Sequence, residues 1–322
     1  MHAIRQYEFG PAENLRYEQV ADPVPDAGQV RIAVEASGVH LIDTVIRRGM
    51  QRGPYPLPEL PMTPGREVAG VVDSAVPGAE SWFGRRVVAH LGQASGGYAE
   101  RALAPAGALH EIPDGMPADV AVAMIGTGRT AVGILELAEL TPDDVVLVTA
   151  AAGGLGALFV QAAERLGATA VGLAGGPAKI ERVRALGATL AVDYLQPGWP
   201  DRVREALQGR LPTVALDGVG GALRQAVADL LAAGGRLVQF GSSSGEPAQV
   251  DPASRGITVV NGLRASPGER PGALREREAA ALANAAKGVW TPLVQRFQLA
   301  RADAAHTAIE TRATVGKVVL VP

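Results

Sequence analysis

Hydrophobic residues follow two different patterns along the chain, and the pattern changes near residue 120. Before that point, residues 30–36 alternate in the manner of a half-buried β-strand, and residues 68–72 and 86–90 are further β-like runs. The sequence therefore predicts a first region built mainly of short strands and turns.

After residue 120, runs that are apolar throughout alternate with segments of helical period. The runs, which we interpret as strands, cover 144–149, 169–173, 190–193, 213–217 and 236–240. The helices predicted between them cover 155–166, 177–186, 201–207 and 223–231. Fully apolar strands that alternate with helices indicate a parallel sheet covered on both faces. This region is therefore predicted to be a doubly wound α/β domain.

The pattern changes again after about residue 265. A long helix at 273–287, a second at 302–310 and a closing strand at 317–321 do not form another strand–helix repeat. We interpret this segment as a return to the first region, which would join the two ends of the chain in one domain. The predicted divisions are 1–122 and 266–322 for the shared domain and 123–265 for the α/β domain.

The amino-acid composition excludes several kinds of site and partner. With 47 % hydrophobic and 20 % charged residues over 322 positions, the chain is typical of a globular protein. Its net charge of −3 gives no overall attraction to nucleic acid or to an anionic membrane. The absence of cysteine excludes disulfides and zinc sites with Cys ligands. The sequence shows no signal-peptide pattern and no run of roughly 18 uninterrupted apolar residues, so we expect a soluble cytoplasmic protein.

Prolines cluster between residues 54 and 64, at positions 54, 56, 58, 61 and 64. This density excludes a regular helix or a central strand there. Two interpretations stay open: an ordered loop over a site, or a plain connection between strands.

A glycine-rich turn follows the first strand of the α/β region. The spacing Ala151-x-Gly153-x-x-Gly156 matches the dinucleotide fingerprint, with Ala at the first glycine position. In that fingerprint the middle glycine lets backbone N–H groups approach a pyrophosphate, and the last lets helix and strand pack closely. Because the motif lies between a predicted strand and a predicted helix, we interpret it as a cofactor turn and not as a purely structural glycine turn.

The second strand of this region ends without the carboxylate that usually binds the ribose hydroxyls of NAD. Leu-Ala-Gly-Gly stands at 173–176, and Lys179 follows at the start of the next helix. A cation there can bind a 2′-phosphate, aided by the helix dipole. The alternative is a solvated surface lysine. The sequence thus favours NADPH over NADH.

Seven segments distributed over the chain carry a family resemblance. They are GVHLIDTVIRRG (38–49), TPGREVAGVV (63–72), GGYAE (96–100), AAGGLG (151–156), ALDGVGG (215–221), VQFGSSSG (238–245) and ETRATVGKVVLVP (310–322). Together they resemble the zinc-free quinone oxidoreductase branch of the medium-chain dehydrogenase/reductase superfamily, which includes zeta-crystallin.

The resemblance implies a GroES-like β-barrel domain built from both chain ends around a central Rossmann domain, with NADPH in the cleft between them. It also implies a homodimer joined through the edge strand of the Rossmann sheet, here 257–261. The implied cofactor residues are Thr127, Thr130, Ala152, Gly153, Gly154, Leu155, Gly175, Lys179, Tyr194, Phe240, Gly241, Ser242 and Arg312.

Two departures from the family patterns concern the chemistry. Zinc-dependent alcohol dehydrogenases of the superfamily bind zinc through a Cys and the His of a Gly-His-Glu motif, whereas this chain has no Cys and reads Gly65-Arg66-Glu67. No catalytic metal is therefore expected. The Asn and Tyr usual near the nicotinamide are here His40 and Val45. These positions lie where the acceptor should bind, so the resemblance does not fix the acceptor.

Four residues are the candidates for catalysis: His40, Asp43, Arg47 and Tyr55. His40 either donates to an acceptor oxygen or only orients its surroundings. Asp43 and Arg47 are predicted to form an i,i+4 ion pair, for which we favour a positioning role. Tyr55, on the proline-rich stretch, is a candidate donor. Arg66 either binds an anionic substrate group or pairs with groups near it, and we favour the second interpretation.

The resulting hypothesis is a reductase that uses NADPH to reduce a quinone or an α,β-unsaturated carbonyl compound without a metal. Such acceptors are already electrophilic, so the protein needs only to orient them and supply donors to the oxygen. Two alternatives stay open. One is an enoyl or enone reductase of secondary metabolism, and the other is a non-catalytic NADPH-binding protein, which would bind the nucleotide without turnover.

Overall fold

The computed structural model of the protein describes residues 1–51, 56–246, 250–251, 256–262 and 272–322. The chain divides into two compact units. The first consists of Met1–Thr127, Ala281–Ala286 and Val294–Pro322, and the second of Gly128–Ala280 and Lys287–Leu293. Both ends of the chain thus belong to one unit.

The described residues form fifteen strands and nine α-helices. The strands are β1 (His2–Gln6), β2 (Leu15–Gln19), β3 (Gln29–Val39), β4 (Glu67–Ala75), β5 (Arg86–His90), β6 (Arg101–Pro105), β7 (Leu109–Glu111), β8 (Val145–Val148), β9 (Thr169–Ala174), β10 (Leu190–Asp193), β11 (Val214–Asp217), β12 (Arg236–Gln239), β13 (Thr258–Asn261), β14 (Val294–Gln298) and β15 (Lys317–Val321). The helices are α1 (Leu41–Arg47), α2 (Ala118–Ala123), α3 (Arg129–Ala138), α4 (Gly154–Leu166), α5 (Pro177–Ala185), α6 (Trp199–Ala206), α7 (Gly221–Leu230), α8 (Ala273–Ala286) and α9 (Ala302–Glu310).

In the first unit, seven strands form one sheet. Its hydrogen-bonded order is β14–β15–β3–β4–β5–β7, and β6 also pairs with β3. The last strand, β15, pairs antiparallel with β3, with Val319 opposite Gly38. The end of the predicted C-terminal segment thus joins the sheet of the first unit, whereas residues 272–280 and 287–293 of that segment belong to the second unit. One face of this sheet buries a cluster of branched side chains that includes Ile32, Val68 and Val87.

In the second unit, six strands follow the order β10–β9–β8–β11–β12–β13, and every neighbouring pair is parallel. The chain leaves β8 toward one side of the sheet and returns to place β11 on its other side. Ligands of doubly wound sheets bind at this reversal, beyond the carboxyl ends of the strands. The predicted parallel sheet, and a strand close to each predicted run, are confirmed.

The core of the second unit explains why its strands read as continuously apolar. Leu147, Val171, Ala215 and Leu237, on four neighbouring strands, are completely buried in one cluster. Strands of a sheet that has helices on both faces place side chains of both orientations in the interior.

One helical stretch, Ala118–Ala138, is long and apolar enough to span a membrane by length and composition alone. Half of its most apolar window is buried inside the protein, as in the core helix of a soluble protein. The stretch therefore carries little weight as a membrane signal.

Candidate active site

The glycine turn of the second unit joins β8 to α4. Ala150 adopts φ 47°, the left-handed region, and its carbonyl accepts a hydrogen bond from Gly153 N at 2.8 Å. A Cβ added at Gly156 would lie 2.3 Å from Ala150 O, so only glycine lets the helix begin this close to the strand. No side chain caps the start of α4. The first N–H groups of α4 are thus left for a phosphate, which fits a dinucleotide.

Most of the residues assigned to the cofactor from the sequence lie at the carboxyl edge of this sheet. Ala152, Gly153, Gly154 and Leu155 follow β8, Gly175 and Lys179 follow β9, Tyr194 follows β10, and Phe240, Gly241 and Ser242 follow β12. Thr130 lies on α3, also in the second unit. Thr127 and Arg312 belong to the first unit.

A buried ion pair supports the turns at this edge. Asp217, at the end of β11, is fully buried and receives Arg224 Nε at 2.6 Å and Thr149 Oγ1 at 2.8 Å. The same guanidinium donates to the carbonyl of Gly241 through Nη2. The Asp217 carboxylate thus binds the end of β8 and the start of α7, and Arg224 extends the network to the loop after β12. These hydrogen bonds fix the positions of the three segments relative to one another.

The residues predicted to bind a 2′-phosphate lie after the ends of β9 and β10. Tyr194 Oη would lie 3.3 Å from a Cβ added at Gly175, so the tyrosine closes over the loop that leads to Lys179. Asp193 accepts the N–H of Gly176 and of Leu195 at 3.0 Å each, and these bonds hold the pKa of its carboxyl below the usual value. Oδ1 of Asp193 is thus bound to two backbone N–H groups.

The first unit contains a compact charged group, formed by His40, Glu67 and Lys317, that we call the His–Glu–Lys cluster. His40 Nε2 lies 2.7 Å from Glu67 Oε1, and Lys317 Nζ lies 2.8 Å from both Glu67 Oε2 and His40 Nε2. Glu67 is completely buried, Lys317 is 5 % exposed, and the His40 side chain is 26 % exposed. The imidazole is therefore the member of the cluster that reaches solvent.

The Glu67 carboxylate occupies the space left by the missing side chain of Gly126. A Cβ added at Gly126 would lie 1.6 Å from Glu67 Oε1, so the carboxylate occupies volume that any other residue at 126 would fill. Burial by itself raises the pKa of Glu67, but the charges of His40 and Lys317 outweigh burial and hold that pKa well below its usual range. The carboxylate is therefore ionised at neutral pH. Nε2 of His40 thus lies between the Lys317 ammonium and the Glu67 carboxylate.

A second buried chain of hydrogen bonds fixes the start of α1, directly after His40. Asp43 Oδ2 accepts the backbone N–H of His40 at 2.8 Å and the hydroxyl of Tyr98 at 3.1 Å. Tyr98 Oη lies 3.2 Å from His306 Nε2. Burial lowers the pKa of His306 to about 4, so its ring is neutral at pH 7. Since Tyr98 gives its single proton to Asp43, His306 donates from Nε2 to the tyrosine oxygen.

The predicted ion pair between Asp43 and Arg47 is wrong. The Arg47 guanidinium is 1 % exposed and pairs through Nη2 with Glu310, on α9. Packing of α9 against α1 supplies a partner that the i,i+4 spacing alone could not indicate. Asp43 is committed to the N–H of His40 and to Tyr98, which agrees with a positioning role for this residue. Tyr55 lies outside the described residues.

Comparison with known proteins places the chain in a family. Residues 26–114 match the family described as alcohol dehydrogenase GroES-like domain, and 154–278 match zinc-binding dehydrogenase. A quinone oxidoreductase of Salmonella typhimurium is 32 % identical, over 99 % of both chains. A 2-haloacrylate reductase of Burkholderia sp. is 31 % identical over 100 % of this chain and 99 % of the relative. A mycobacterial structure solved with NADPH superposes with a TM-score of 0.84 at 34 % identity, over 100 % of both chains.

The chain belongs to the quinone oxidoreductase branch of the medium-chain dehydrogenase/reductase superfamily.

The residues of this quinone oxidoreductase homologue do not fit the zinc that one family description names. His40 and Glu67 are in direct contact, and the Lys317 ammonium lies against both. A divalent cation bound by His40 and Glu67 would therefore have to displace this ammonium group. Among the described residues, no group of three or more His, Cys, Asp or Glu side chains is placed to hold a metal ion. No step of the chemistry is therefore assigned to zinc.

Sequence reasoning missed two members of the His–Glu–Lys cluster. In the sequence, Glu67 stands out only as part of the motif in which Arg66 replaces a zinc ligand. Lys317 is one of three lysines in the chain, and that rarity was the one signal available. Nothing in the spacing of residues 40, 67 and 317 indicates that they meet; the pairing of β15 with β3 brings them together.

We predict that replacing Lys317 by Met lowers the free energy of unfolding of the first unit by about 3 kcal/mol at pH 7, because Glu67 loses a buried counter-charge. The loss should shrink at pH 5. A carboxyl whose pKa is lowered by folding stabilises the protein above its unfolded pKa, and without Lys317 this pKa rises, so Glu67 takes up a proton as the pH falls. Hydrogen exchange of the β4 and β15 amides measures the effect.

Lys287, which is exposed, provides the matched control. Its replacement by Met should change the same exchange by less than about 0.5 kcal/mol. Equal effects of the two substitutions, or a Lys317 effect that does not depend on pH, would contradict the assigned charge pairing.

Proposed function

We propose that this protein uses NADPH to reduce small acceptors whose carbonyl group is conjugated, namely quinones or α,β-unsaturated carbonyl compounds, without a metal. That it is an NADPH-dependent oxidoreductase follows from its family and from relatives solved with this nucleotide. The observation that carries the finer proposal is the His–Glu–Lys cluster. It offers a partly exposed imidazole supported by a buried ion pair, where a metal-dependent relative would need a set of metal ligands.

NADPH, when bound, supplies the hydride. The chain's part is to hold it, and the turn from Ala152 to Leu155 supplies N–H groups and the N-terminus of α4 to the pyrophosphate. Lys179 and Tyr194 supply a cation and a hydroxyl to the 2′-phosphate.

The proposed class of acceptor follows from the fact that the His–Glu–Lys cluster offers an imidazole and not a set of metal ligands. With no Lewis acid to polarise a simple carbonyl group, the acceptor must spread the incoming negative charge over its own conjugated system. Quinones and enones do so, and the charge arrives on an oxygen. The protein then has to orient the ring or the double bond, exclude water and present a donor to that oxygen.

His40 is the proposed donor. Its backbone is fixed by Asp43 and its Nε2 by Glu67 and Lys317, so the ring has one orientation. A protonated imidazole can give a proton to the reduced acceptor and regain one from solvent, to which the ring is partly exposed. The competing role for His40, orientation of the nicotinamide ribose, requires no proton transfer.

We predict that the purified protein oxidises NADPH in the presence of benzoquinones or simple enones, followed as loss of NADPH absorbance. Preference for one acceptor class separates a quinone reductase from an enone or enoyl reductase. Tight binding of NADPH without turnover of any quinone or enone would refute the proposal.

In the His40→Asn variant, which keeps a hydrogen-bond donor but cannot transfer a proton as imidazole does, kcat should fall while the Kd of NADPH stays unchanged. An unchanged kcat with weakened NADPH binding would assign His40 to the ribose instead.

We predict that Lys179→Glu raises the Kd of NADPH at least about 30-fold and that of NADH less than about 3-fold, since a charge-assisted bond to phosphate is replaced by repulsion. Fluorescence titration with each nucleotide measures this. Lys287→Glu makes the same charge change at an exposed lysine and should leave both constants unchanged. Equal weakening of NADPH and NADH by Lys179→Glu would remove the 2′-phosphate assignment.

We also propose a homodimer joined through β13. Among the strands that the structure describes, β13 stands last in the order of this sheet, beside β12, where a second copy would extend the sheet. Sedimentation velocity should give twice the chain mass for the wild type. Val260→Lys, at this edge, should shift the protein toward monomer, whereas Val24→Lys, at a position 77 % exposed in the first unit, should not. A monomeric wild type at micromolar concentration would refute the proposal.

A further inference from the structure

A pocket of about 350 Å³ lies within the first unit, and some of its lining residues adjoin members of the His–Glu–Lys cluster. Two of its lining residues connect it to that cluster: Asp43 binds the backbone N–H of His40, and Arg66 directly precedes Glu67. Apolar side chains, including Ile46, Leu57 and Met62, form part of the wall. The volume lies at the low end of the range for ligand sites, so the pocket suits a small molecule.

Two arginines and one carboxylate line this pocket: Arg47, Arg66 and Asp43. Asp43 is committed to the N–H of His40 and the hydroxyl of Tyr98. The side chain of Arg66 is half-buried and makes no hydrogen bond or ion pair in the part of the chain that the structure describes. The sequence interpretation that Arg66 pairs with groups near it is therefore not supported, and a bound anion becomes the better explanation.

Arg47 gives a second, independent observation. It lines the same pocket and is 1 % exposed, and although Nη2 pairs with Glu310, its Nε and Nη1 are buried without any hydrogen-bond partner. Burial lowers the pKa of this guanidinium below its usual value. Buried N–H groups of a charged side chain that lack acceptors cost free energy, which an anion in the pocket would recover.

We propose that this pocket is a subsite for the carboxylate of a small α,β-unsaturated acid, with Arg66 as its ion-pair partner and Arg47 as the deeper positive charge. The inference deepens the proposed function, on which it rests, by naming the class of acceptor. The apolar wall of the pocket contacts the carbon chain of the acid, and Arg47 and Arg66 bind its carboxylate.

The reaction explains why two cations are useful. Hydride from NADPH forms a C–H bond at the β-carbon, the C=C π bond breaks, and its electron pair moves onto the carboxylate. The carboxylate then carries a second negative charge until the α-carbon takes a proton from solvent and forms the saturated acid, while NADPH becomes NADP⁺. Cations placed against those oxygens stabilise this dianion more than the substrate, so they accelerate the chemical step.

The test compares two acceptors of the same shape. In 3-penten-2-one a methyl group replaces the charged oxygen of 2-butenoate. We expect Arg66→Gln to lower kcat/KM for 2-butenoate by about 30-fold and that for the ketone by less than about 3-fold, because only the acid loses a charged partner. Arg66→Lys should restore part of the loss. Arg16→Gln, at an exposed position of β2, removes the same charge and should change neither value.

A binding measurement keeps the inference separate from turnover. Titration calorimetry of the NADPH complex with butanoate, which cannot be reduced, should show binding to the wild type and at least about 10-fold weaker binding to Arg66→Gln. Failure of the wild type to bind butanoate, or an equal effect of Arg66→Gln on acid and ketone, would overturn the subsite. Absence of turnover with every acceptor, together with arginine-dependent binding of butanoate, would refute the proposed function while leaving the subsite intact.

Discussion

A fully buried carboxylate, Glu67, is the constraint on which the first unit depends. An ionised carboxylate in a protein interior is unstable unless cations and close packing compensate it. Here the compensation comes from three separate parts of the chain: the imidazole before α1, the ammonium at the start of β15, and the glycine at 126 that leaves space for the oxygens. Since the same imidazole is the proposed proton donor, the stability of the first unit and the proposed proton transfer both depend on the His–Glu–Lys cluster.

The two units place their chemical groups by different means. In the second unit, backbone geometry does most of the positioning: the left-handed Ala150, the close approach at Gly156 and the N–H groups of Gly176 and Leu195 are set by the main chain. In the first unit, buried side chains do it, through the His–Glu–Lys cluster and the hydrogen-bond chain from His306 to Asp43. A site positioned by the backbone, such as the glycine turn, leaves a short motif in the sequence. A cluster of buried side chains from distant segments leaves no such motif.

That difference explains how much could be predicted from the sequence. The parallel sheet, the glycine turn and the return of the C-terminal strand follow from local periodicity and from one motif, and the structure confirms them. The helical stretch at 118–138 was not predicted, because its glycines lower helix propensity and burial supplies the stability instead. Glu67, Lys317, Tyr98 and Glu310 could not be found, since each acts with a partner distant in sequence that only the folded sheet brings near.

The position of Lys317 on β15 has a consequence for synthesis of the protein on the ribosome. Every strand of the parallel sheet in the second unit lies before residue 262, so that sheet can assemble while translation continues. Glu67, made early, lacks its ammonium until β15 has left the exit tunnel and paired with β3. A nascent chain can therefore complete the parallel sheet of its second unit while Glu67, in the first unit, still lacks the ammonium group that compensates its charge.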